Sequence, residues 1–290
     1  MAHVCSLLIN PVSGGYSEEK VRRITAALEA GGLVPELLFT KSAGDFVRLS
    51  ASICREREEP FIVACGGDGT VNEVINGLEP GRATLAVLPL GTANVLAREL
   101  GIRSLDDAVA RIVRGEVRPL TVGLLEAGEI RRRFVLMAGV GLDGAIVRGV
   151  RLTEKRVLGK GAYLLAAARL LRFWERERLQ VEVRGRRIDC HSAVVCNAAR
   201  YGGGFLLAPG TDIFAPGFQI LCIAAESRRA YLKLALAVIS GRVAHDRNIT
   251  FSTAEELTIS GNKAVQVDGD YCCRTPVRIT AHGGFARLIV

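Results

Sequence analysis

The sequence predicts two joined parts: an α/β domain in which helices cover a parallel sheet, followed by a mainly antiparallel β domain. Apolar runs alternate with helical stretches over the first 120 residues, as parallel strands and their connecting helices do. After Pro119 the apolar runs follow one another with few helices between them, which is typical of an antiparallel sandwich or barrel. With 290 residues, 49% of them hydrophobic and 23% charged, the chain can bury the core that two such domains need.

The first strand of the α/β domain is predicted at residues 4–10, an apolar run that ends at Asn10 and Pro11. The next elements are predicted, in chain order, as helix 17–29, strand 33–39, helix 44–57, strand 61–65, helix 71–78, strand 83–88 and helix 92–100. Because these strands are continuously apolar, helices are expected on both faces of the sheet. A ligand site is expected beyond the carboxyl ends of such strands.

The second domain is predicted to be rich in strands. They are expected at residues 120–125, 132–137, 179–183, 193–197, 218–223, 257–260, 264–267 and 277–280, with helices at 161–176 and 227–239. The change of pattern near residues 117–121 predicts domain limits of 1–120 and 121–283. A last strand, at about residues 284–290, can return to the first domain.

Positive charge is concentrated in one segment of the chain. The formal net charge is +8, and the segment from Arg148 to Arg187 alone holds twelve Lys and Arg side chains against four Glu. Such a surface favours a phosphate-rich partner, either nucleic acid or an anionic membrane. Residues 160–178 suit an amphipathic helix with Trp174 on it, which could lie on a membrane or pack against its own domain. No nucleic-acid partner is expected, because the sequence lacks a helix-turn-helix, RRM or finger signature.

The remaining composition argues for a cytoplasmic protein without a membrane span. No uncharged stretch reaches 18 residues, the length that a transmembrane helix needs. The eight cysteines lack metal-site or redox spacing, so free thiols in a reducing compartment are expected. The four histidines show no metal-ligand spacing, and no nucleophile-elbow pattern indicates a hydrolase.

A glycine-rich turn stands between the third predicted strand and the next helix. It reads Gly66-Gly67-Asp68-Gly69-Thr70. Glycines at this junction let backbone amides approach phosphate oxygens, and the helix N-terminus adds a positive end. Asp68 offers a carboxylate for Mg²⁺, and Thr70 can cap the helix or donate to a phosphate. No Lys-Ser/Thr pair follows as in a Walker loop, and a tight turn without a ligand fits the same residues.

The run from Gly66 to Gly77 resembles the signature of the diacylglycerol kinase catalytic family, which includes bacterial lipid kinases, sphingosine kinases and ceramide kinases. Further matches follow the family's order along nearly the whole chain. They are Asn10-Pro11-Val12-Ser13-Gly14-Gly15, Thr40, Leu90-Gly91-Thr92-Ala93-Asn94, Gly139-Val140-Gly141-Leu142-Asp143, Pro209 and Val267-Asp268-Gly269-Asp270.

This resemblance implies an N-terminal domain like that of NAD kinases and phosphofructokinases, and an antiparallel sandwich after it. It implies that ATP and Mg²⁺ meet a lipid hydroxyl, of diacylglycerol or a related lipid, in the cleft between the domains. The terminal phosphoryl group would pass to that hydroxyl. The implied nucleotide contacts are Asn10, Pro11, Ser13, Gly14, Thr40, Gly66, Gly67, Asp68, Gly69, Thr70, Asn72, Glu73, Gly91, Thr92 and Asn94.

The resemblance assigns catalysis to two carboxylates. Asp270 stands where relatives carry the general base that accepts the proton of the attacking hydroxyl, a role that phosphoryl transfer requires. Asp68 is the second catalytic residue and a Mg²⁺ ligand. Taken without the family, Asp270 also fits a residue of a β-hairpin, because Asp-Gly is a common two-residue turn.

Two positions depart from the family's pattern. Val95 stands where many members have an aspartate of the Mg²⁺–water network. Pro216 interrupts the acidic pair that holds a structural Mg²⁺ in relatives, so only Asp212 remains as a ligand there. Glu73 and Asp143 are two candidates for the missing catalytic carboxylate.

Alternatives therefore stay open from the sequence. They are an NAD kinase-like enzyme with the same glycine turn, and a catalytically impaired homologue that binds nucleotide or lipid. Peripheral contact with an anionic membrane through the segment from Arg148 to Arg187 is expected, and a homodimer is an option. The compact chain resembles bacterial members, and the acceptor lipid is left undefined.

Overall fold

The computed structural model describes residues 3–149, 177–202, 204–240 and 247–290. The first part is an α/β domain. Its strands are β1 (His3–Ile9), β2 (Leu33–Phe39), β3 (Phe61–Gly66) and β4 (Thr84–Pro89). Its helices are α1 (Glu18–Ala30), α2 (Asp45–Glu56), α3 (Asp68–Gly77), α4 (Val95–Glu99) and α5 (Leu105–Arg114). The four strands are parallel and stand side by side in the order β2-β1-β3-β4.

Helices cover both faces of this sheet because neighbouring strand residues point to opposite sides. On β1, Leu7 faces the core layer formed with α1 and α5, whereas Leu8 faces the layer formed with α2 and α3. Both leucines are fully buried, as are Ile62 and Val63 of the neighbouring β3. The continuous apolar strands of the sequence are thus explained by burial on two sides, and the predicted parallel α/β domain is confirmed.

Three helices differ clearly from the sequence-based expectation. Helix α4 begins at Val95 rather than at residue 92. Helix α3 begins at Asp68, three residues earlier than predicted, because the chain turns directly after Gly67. Helix α5 was not predicted, although Ser104 caps it by accepting a hydrogen bond from the Asp107 amide at 3.1 Å. Two adjacent acidic residues in the first turn of α5 suit the positive end of a helix.

The second part of the chain is mainly β. Its strands are β5 (Val117–Ala127), β6 (Ile130–Phe134), β7 (Met137–Val140), β8 (Leu179–Val183), β9 (Arg186–Cys190), β10 (Ser192–Cys196), β11 (Arg200–Tyr201), β12 (Phe205–Leu206), β13 (Phe218–Ile223), β14 (Ile249–Ala254), β15 (Glu256–Ser260), β16 (Ala264–Val267), β17 (Asp270–Arg274) and β18 (Val277–Ile289). Its described helices are α6 (Leu142–Gly149) and α7 (Arg228–Ile239). The predicted helix at 161–176 lies outside the described residues.

Two sheets form a sandwich. One is antiparallel, with the order β14-β13-β10-β7-β16-β17. The other continues the parallel sheet of the first domain through β18, β15, β8 and β9, with β5 and β6 attached through β18. The mainly antiparallel second domain is therefore confirmed.

Strand β18 joins the two domains. Its first half pairs antiparallel with β15, and its second half pairs parallel with β4 through Arg287 and Leu288. Along its other edge it pairs with β5, with a shift of register between His282 and Ala286. One strand thus belongs to both domains, which fixes the first sheet against the sandwich. The limits 1–120 and 121–283 stay a prediction.

The sandwich core contains a tight contact between a glycine and an aromatic ring, which stacks on a second ring. Phe134 on β6 lies directly opposite Gly123 on β5, and its ring stacks on Phe218 of the facing sheet at 5.5 Å. A Cβ on Gly123 would collide with the Phe134 ring, which is fully buried. The packing therefore requires a residue without a side chain at position 123.

We expect Gly123→Ala to lower the free energy of unfolding by about 1–3 kcal/mol, because the added methyl overpacks the Phe134 ring. Urea unfolding followed by circular dichroism measures the change. Gly283→Ala is the matched control, since a Cβ there meets only Thr121 Oγ1 at 3.9 Å. Equal stability of the two variants would contradict this account of the core.

Candidate functional site

Four loops meet at one edge of the parallel sheet, beyond the carboxyl ends of its strands. The amide of Asn10 after β1 donates to the Cys65 carbonyl at 3.0 Å, and the Thr40 amide after β2 donates to the Ile9 carbonyl at 3.1 Å. The loops after β3 and β4 are part of the same edge. The predicted position of the ligand site is thus a place where several of the chain's polar loop residues gather.

The loops approach one another so closely that only glycine fits at their contacts. A Cβ on Gly67 would lie 3.2 Å from Cα of Gly91, and a Cβ on Gly91 would collide with Gly67. The Gly15 amide donates to the Leu90 carbonyl at 2.8 Å, and a Cβ on Gly15 would meet the same oxygen at 2.8 Å. A Cβ on Gly66 would collide with the Thr70 side chain. The result is a cradle of backbone, which we call the glycine cradle, formed by residues 10–15, 66–70 and 90–94.

Two asparagines hold the loops of the glycine cradle in shape. Asn10 accepts a hydrogen bond from the Val12 amide at 3.1 Å and donates to Thr70 Oγ1 at 3.3 Å. Asn94 has a left-handed backbone with φ of 46°, and its side chain makes reciprocal bonds of 2.9 and 2.8 Å with the Gly91 backbone. Both side chains are used on the protein's own loops, so their effect on a ligand is to place backbone atoms.

Several further predicted nucleotide contacts lie in the same cradle, whereas Thr40, Asn72 and Glu73 lie outside it. Ser13 donates its amide to the Asn10 carbonyl at 3.2 Å, in the turn that contains Pro11. Gly14 lies next to Thr92, whose Oγ1 would be 3.8 Å from an added Cβ. Gly69 and Thr92 are exposed, and Gly69 has no atom within 4 Å of an added Cβ. The cradle is therefore open toward solvent at the start of α3.

Asp68 connects the starts of two helices. It is the first residue of α3, and its Oδ1 accepts a hydrogen bond from the Leu96 amide of α4 at 3.1 Å. Val95, the position where relatives of the resembled family carry an aspartate, is 6% exposed and packs in the apolar core. Asp68 is thus a carboxylate at the start of α3, and Val95 contributes only packing.

Glu73 serves the loop that follows β2. Its Oε2 accepts a hydrogen bond from the Gly44 amide at 3.1 Å. In the same loop, Asp45 accepts from the amides of Lys41 and Ser42 at 2.8 and 2.7 Å, and these bonds hold the pKa of Asp45 well below its usual range. Glu73 therefore positions the loop that begins at Thr40.

A carboxylate that the sequence reasoning missed connects the first domain to the second. Asp268 accepts from the amides of Val135, Leu136 and Met137 at 2.9 Å each, and from Asn72 Nδ2 on α3 at 2.9 Å. Burial raises the pKa of this carboxyl group to about 6, although the four N–H donors lower it. No local pattern could have revealed the role, because Asn72 and Asp268 are 196 positions apart.

Asn72 and Asn76 extend this contact along α3. Asn72 Nδ2 also donates to the Arg133 carbonyl at 3.0 Å, and Asn76 Oδ1 accepts from the Arg133 amide at 2.9 Å. The Arg133 guanidinium in turn donates to the Leu78 carbonyl at the end of α3 at 3.1 Å. The helix that follows the glycine turn is thus bound along its length to strand β6.

Asp270 lies two residues after Asp268, at the start of β17. Asp268 and Gly269 have φ of 47° and 90°, so they form a two-residue turn with left-handed backbone at both positions. The predicted turn is therefore made by Asp268 and Gly269. Asp270 itself has an exposed side chain at the hairpin that Asp268 ties to α3.

Asp143 belongs to a hydrogen-bonded network beside that hairpin. Tyr201 donates its hydroxyl to Oδ1, and Gln266 Nε2 donates to Oδ2 at 2.7 Å. Gln266 Oε1 accepts from the Gly269 amide at 2.7 Å, so the network reaches the turn. Burial raises the pKa of Asp143. With both oxygens hydrogen-bonded, Asp143 is arranged to hold the hairpin.

Asp212 is paired with a protein cation. Its Oδ2 accepts from Arg118 Nη2 at 3.1 Å, and its Oδ1 accepts from the Phe214 amide at 3.0 Å. The Arg118 guanidinium lies over the Phe214 ring, 3.8 Å from its centre. The described part of the chain holds no group of three or more His, Cys, Asp or Glu side chains suited to a metal. The residues around Asp212 do not fit a structural Mg²⁺ site, because the Arg118 guanidinium is already paired with the Asp212 carboxylate.

The described residues include no helix that is both long and apolar enough to span a bilayer. Much of the basic segment expected to meet a membrane, residues 150–176, lies outside the described residues.

Comparison with known proteins identifies the family of the chain. A family model described as the diacylglycerol kinase catalytic domain matches residues 5–125. A second model, the YegS C-terminal NAD kinase beta sandwich-like domain, matches residues 137–290. A diacylglycerol kinase of Bacillus subtilis is 28% identical over 91% of this chain and 89% of its own length. A YegS-like lipid kinase of Pseudomonas putida is 36% identical over 66% of this chain and 64% of its own length.

Solved structures give the same fold. A diacylglycerol kinase structure from Bacillus anthracis str. Sterne superposes with a TM-score of 0.72 and 20% identity over 99% of this chain and 96% of that one. Another solved chain from the same organism reaches a TM-score of 0.80 with 23% identity over 99% and 95% of the two chains. At these identities the likeness establishes the fold.

We expect Asp268→Asn to lower the free energy of unfolding by about 2–4 kcal/mol, because an amide group would face donors where the carboxylate accepts four hydrogen bonds. Denaturant unfolding measures the loss. Asp270→Asn is the matched control from the same hairpin, and its exposed position predicts a change within about 0.5 kcal/mol. If Asp268→Asn is as stable as the unchanged protein, the hydrogen bonds of Asp268 do not stabilise the contact between the domains.

Proposed function

Because the chain belongs to the diacylglycerol kinase family and is a lipid kinase, we propose that it transfers the terminal phosphoryl group of ATP to the hydroxyl of diacylglycerol. One observation carries the proposal. The Asn72–Asp268 bond, at 2.9 Å, ties the helix that begins in the glycine cradle to the hairpin that bears Asp270. A nucleotide site and a proton acceptor are thereby held by one helix and one hairpin.

The glycine cradle is the proposed site of the ATP phosphates. Glycine at positions 66, 67 and 91 lets the loops come together in one place, and the N-terminus of α3 provides a positive end there. Asn10 and Asn94 keep these loops in shape, as their bonds to Thr70 and Gly91 indicate. A Cβ on Gly66 or Gly91 would collide with Thr70 or Gly67, so glycine at these positions keeps the loops closed around the proposed phosphate site.

A Mg²⁺ ion that enters with ATP would meet Asp68 at the start of α3. Mg²⁺ in phosphoryl-transfer sites is usually bound by one or two carboxylates, with phosphates and water as its other ligands, and there it neutralises phosphate charge. Asp68 would supply one carboxylate, which is enough for such a site. Asp212 is excluded from this proposal since Arg118 engages its carboxylate.

Asp270 is the proposed general base. It would accept the proton of the lipid hydroxyl as the oxygen attacks the terminal phosphorus, while the bond between that phosphorus and the ADP oxygen breaks. Asp143 and Gln266 are proposed as positioning residues, since their network bonds the Gly269 amide next to Asp270. Asp268, the first residue of the same turn, ties it to Asn72 on α3.

Diacylglycerol is proposed as the acceptor on the strength of the relative from Bacillus subtilis, which matches along 91% of this chain. The YegS-like relatives carry the broader name of lipid kinase. An NAD kinase-like activity is not favoured, because the curated relatives carry lipid-kinase names. A homologue without catalysis is the competing reading, motivated by the apolar Val95 beside Asp68.

The test offers purified protein radiolabelled ATP and Mg²⁺ with diacylglycerol in mixed micelles, total bacterial lipid or NAD in parallel. Label in phosphatidic acid is the expected result. Label confined to another lipid would show that this lipid, and not diacylglycerol, is the acceptor. Label only in NADP would overturn the proposal of a lipid acceptor. Nucleotide binding without any turnover would establish the impaired homologue instead.

We expect Asp270→Asn to lower kcat about 100-fold or more, because the amide cannot accept the hydroxyl proton. Affinity for ATP should stay close to that of the unchanged protein, since the cradle is untouched. Steady-state kinetics and calorimetric ATP binding measure the two quantities. Asp189→Asn, which changes an exposed aspartate on β9, serves as the control. Full activity of Asp270→Asn would show that another group accepts the proton of the lipid hydroxyl.

We expect Gly91→Ala to weaken ATP binding about tenfold or more, which corresponds to about 1.4 kcal/mol. The added methyl would push the loop after β4 away from Gly67 and open the cradle. Calorimetry with ATP in the absence of lipid measures the affinity, and Gly283→Ala controls for the change of residue type. Unchanged affinity would show that the phosphates do not rest between these loops.

A further inference from the structure

Helix α7 has two different sides. Tyr231 and Leu234 are 7% and 8% exposed and pack into the core, and the Tyr231 hydroxyl donates to Ser192 Oγ at 2.6 Å. On the opposite side, Leu232 and Leu236 are each 60% exposed. Since one face of the helix is already anchored, the apolar residues of its outer face are not needed for packing within this domain.

The neighbouring strand enlarges this apolar surface. Strand β12 lies against α7, and its residues Phe205 and Leu206 are 43% and 40% exposed. Single exposed apolar side chains are common, but several in one region mark an interaction surface. We call the outer side of α7 together with β12 the α7 face.

The charges of the α7 face are of one sign. Arg228, Arg229 and Lys233 are exposed on α7, and the helix contains no acidic residue. Arginines in the first turn oppose the positive end of a helix, whereas α1 and α5 of the same chain carry acidic residues there. The helix dipole therefore does not explain the positive charge at the start of α7, whose N-terminus is capped by Ser227.

We propose that the α7 face docks on a bilayer containing anionic lipids. Leucines flanked by Arg and Lys, without acids, are the pattern of helices that lie in a membrane interface. The apolar side chains would enter the acyl boundary while the basic ones meet lipid phosphates. The proposal rests on the proposed function in one respect: a diacylglycerol acceptor resides in a membrane, so the enzyme must reach one.

The location of the α7 face relative to the site agrees with this role. Strand β12 pairs with β11, and Tyr201 on β11 donates its hydroxyl to Asp143 of the network that holds the Asp270 hairpin. One short hairpin thus lies between the docking surface and the acceptor side of the cleft. A lipid leaving the bilayer at the α7 face would therefore be near the hairpin that bears Asp270.

The test is co-sedimentation of the full-length protein with vesicles, without ATP. One set consists of phosphatidylcholine and phosphatidylglycerol, the other of phosphatidylcholine alone. The unchanged protein should bind the anionic vesicles preferentially, and binding should weaken as salt screens the charges. Leu232→Ser with Leu236→Ser should reduce the partition coefficient about tenfold, as should Arg229→Glu with Lys233→Glu.

Matched controls lie on the first domain. Leu37→Ser replaces an apolar residue that is 37% exposed on β2, and Arg22→Glu reverses an exposed charge on α1. Both should bind vesicles as the unchanged protein does. Thermal unfolding checks that every variant is folded, which the exposure of the substituted residues predicts.

An activity measurement separates the two proposals. With a short-chain diacylglycerol dissolved as monomers, the α7 variants should keep full turnover, and with diacylglycerol in anionic vesicles they should lose it. Absence of turnover on either substrate by the unchanged protein would contradict the proposed function while leaving the sedimentation result valid. Unaltered vesicle binding of both α7 variants would overturn the docking proposal. If the variants instead lose a dimer in light scattering and still bind vesicles, the α7 face contacts a second copy of the chain, and the docking proposal is also overturned.

Discussion

The carboxylate of Asp268 makes the contact that ties the first domain to the second beside the candidate site. It accepts one hydrogen bond from α3 of the first domain and three from consecutive amides between β6 and β7 of the second. Three adjacent amides without such an acceptor would be costly to bury. Because the same turn carries Asp270, the bond that secures the domains also sets where the proposed base stands. Stability and chemistry are therefore coupled within two residues of chain.

The glycine cradle imposes a second constraint, on the first domain alone. Its loops touch through backbone atoms, so side chains are excluded at positions such as Gly67 and Gly91. Excluding side chains brings the loops together, and it also makes them dependent on Asn10 and Asn94 for their shape. The polar side chains of the cradle thus act mainly on backbone, and the backbone is what a nucleotide would meet.

The two departures from the family's pattern have different physical outcomes. At Asp212, Arg118 supplies positive charge and its guanidinium stacks on Phe214, so the loop is held by an ion pair and a cation–π contact. At Val95, an apolar side chain packs in the core. Asp143 does not fill the gap, since its oxygens bond Tyr201 and Gln266. Any metal chemistry would rest on Asp68 and on the substrate's own phosphates.

The sequence by itself determined the order of parts and the family of the chain. Alternation of apolar strands and helices, a glycine turn after a buried strand, and family motifs in order are local patterns, and local patterns can be read from neighbouring residues. It could not assign Asp268, whose partners lie more than 130 positions away, or the pairing of Asp212 with Arg118, 94 positions away. Those roles were decided only by the tertiary structure, because a carboxylate's function follows from which donors folding brings within hydrogen-bond distance.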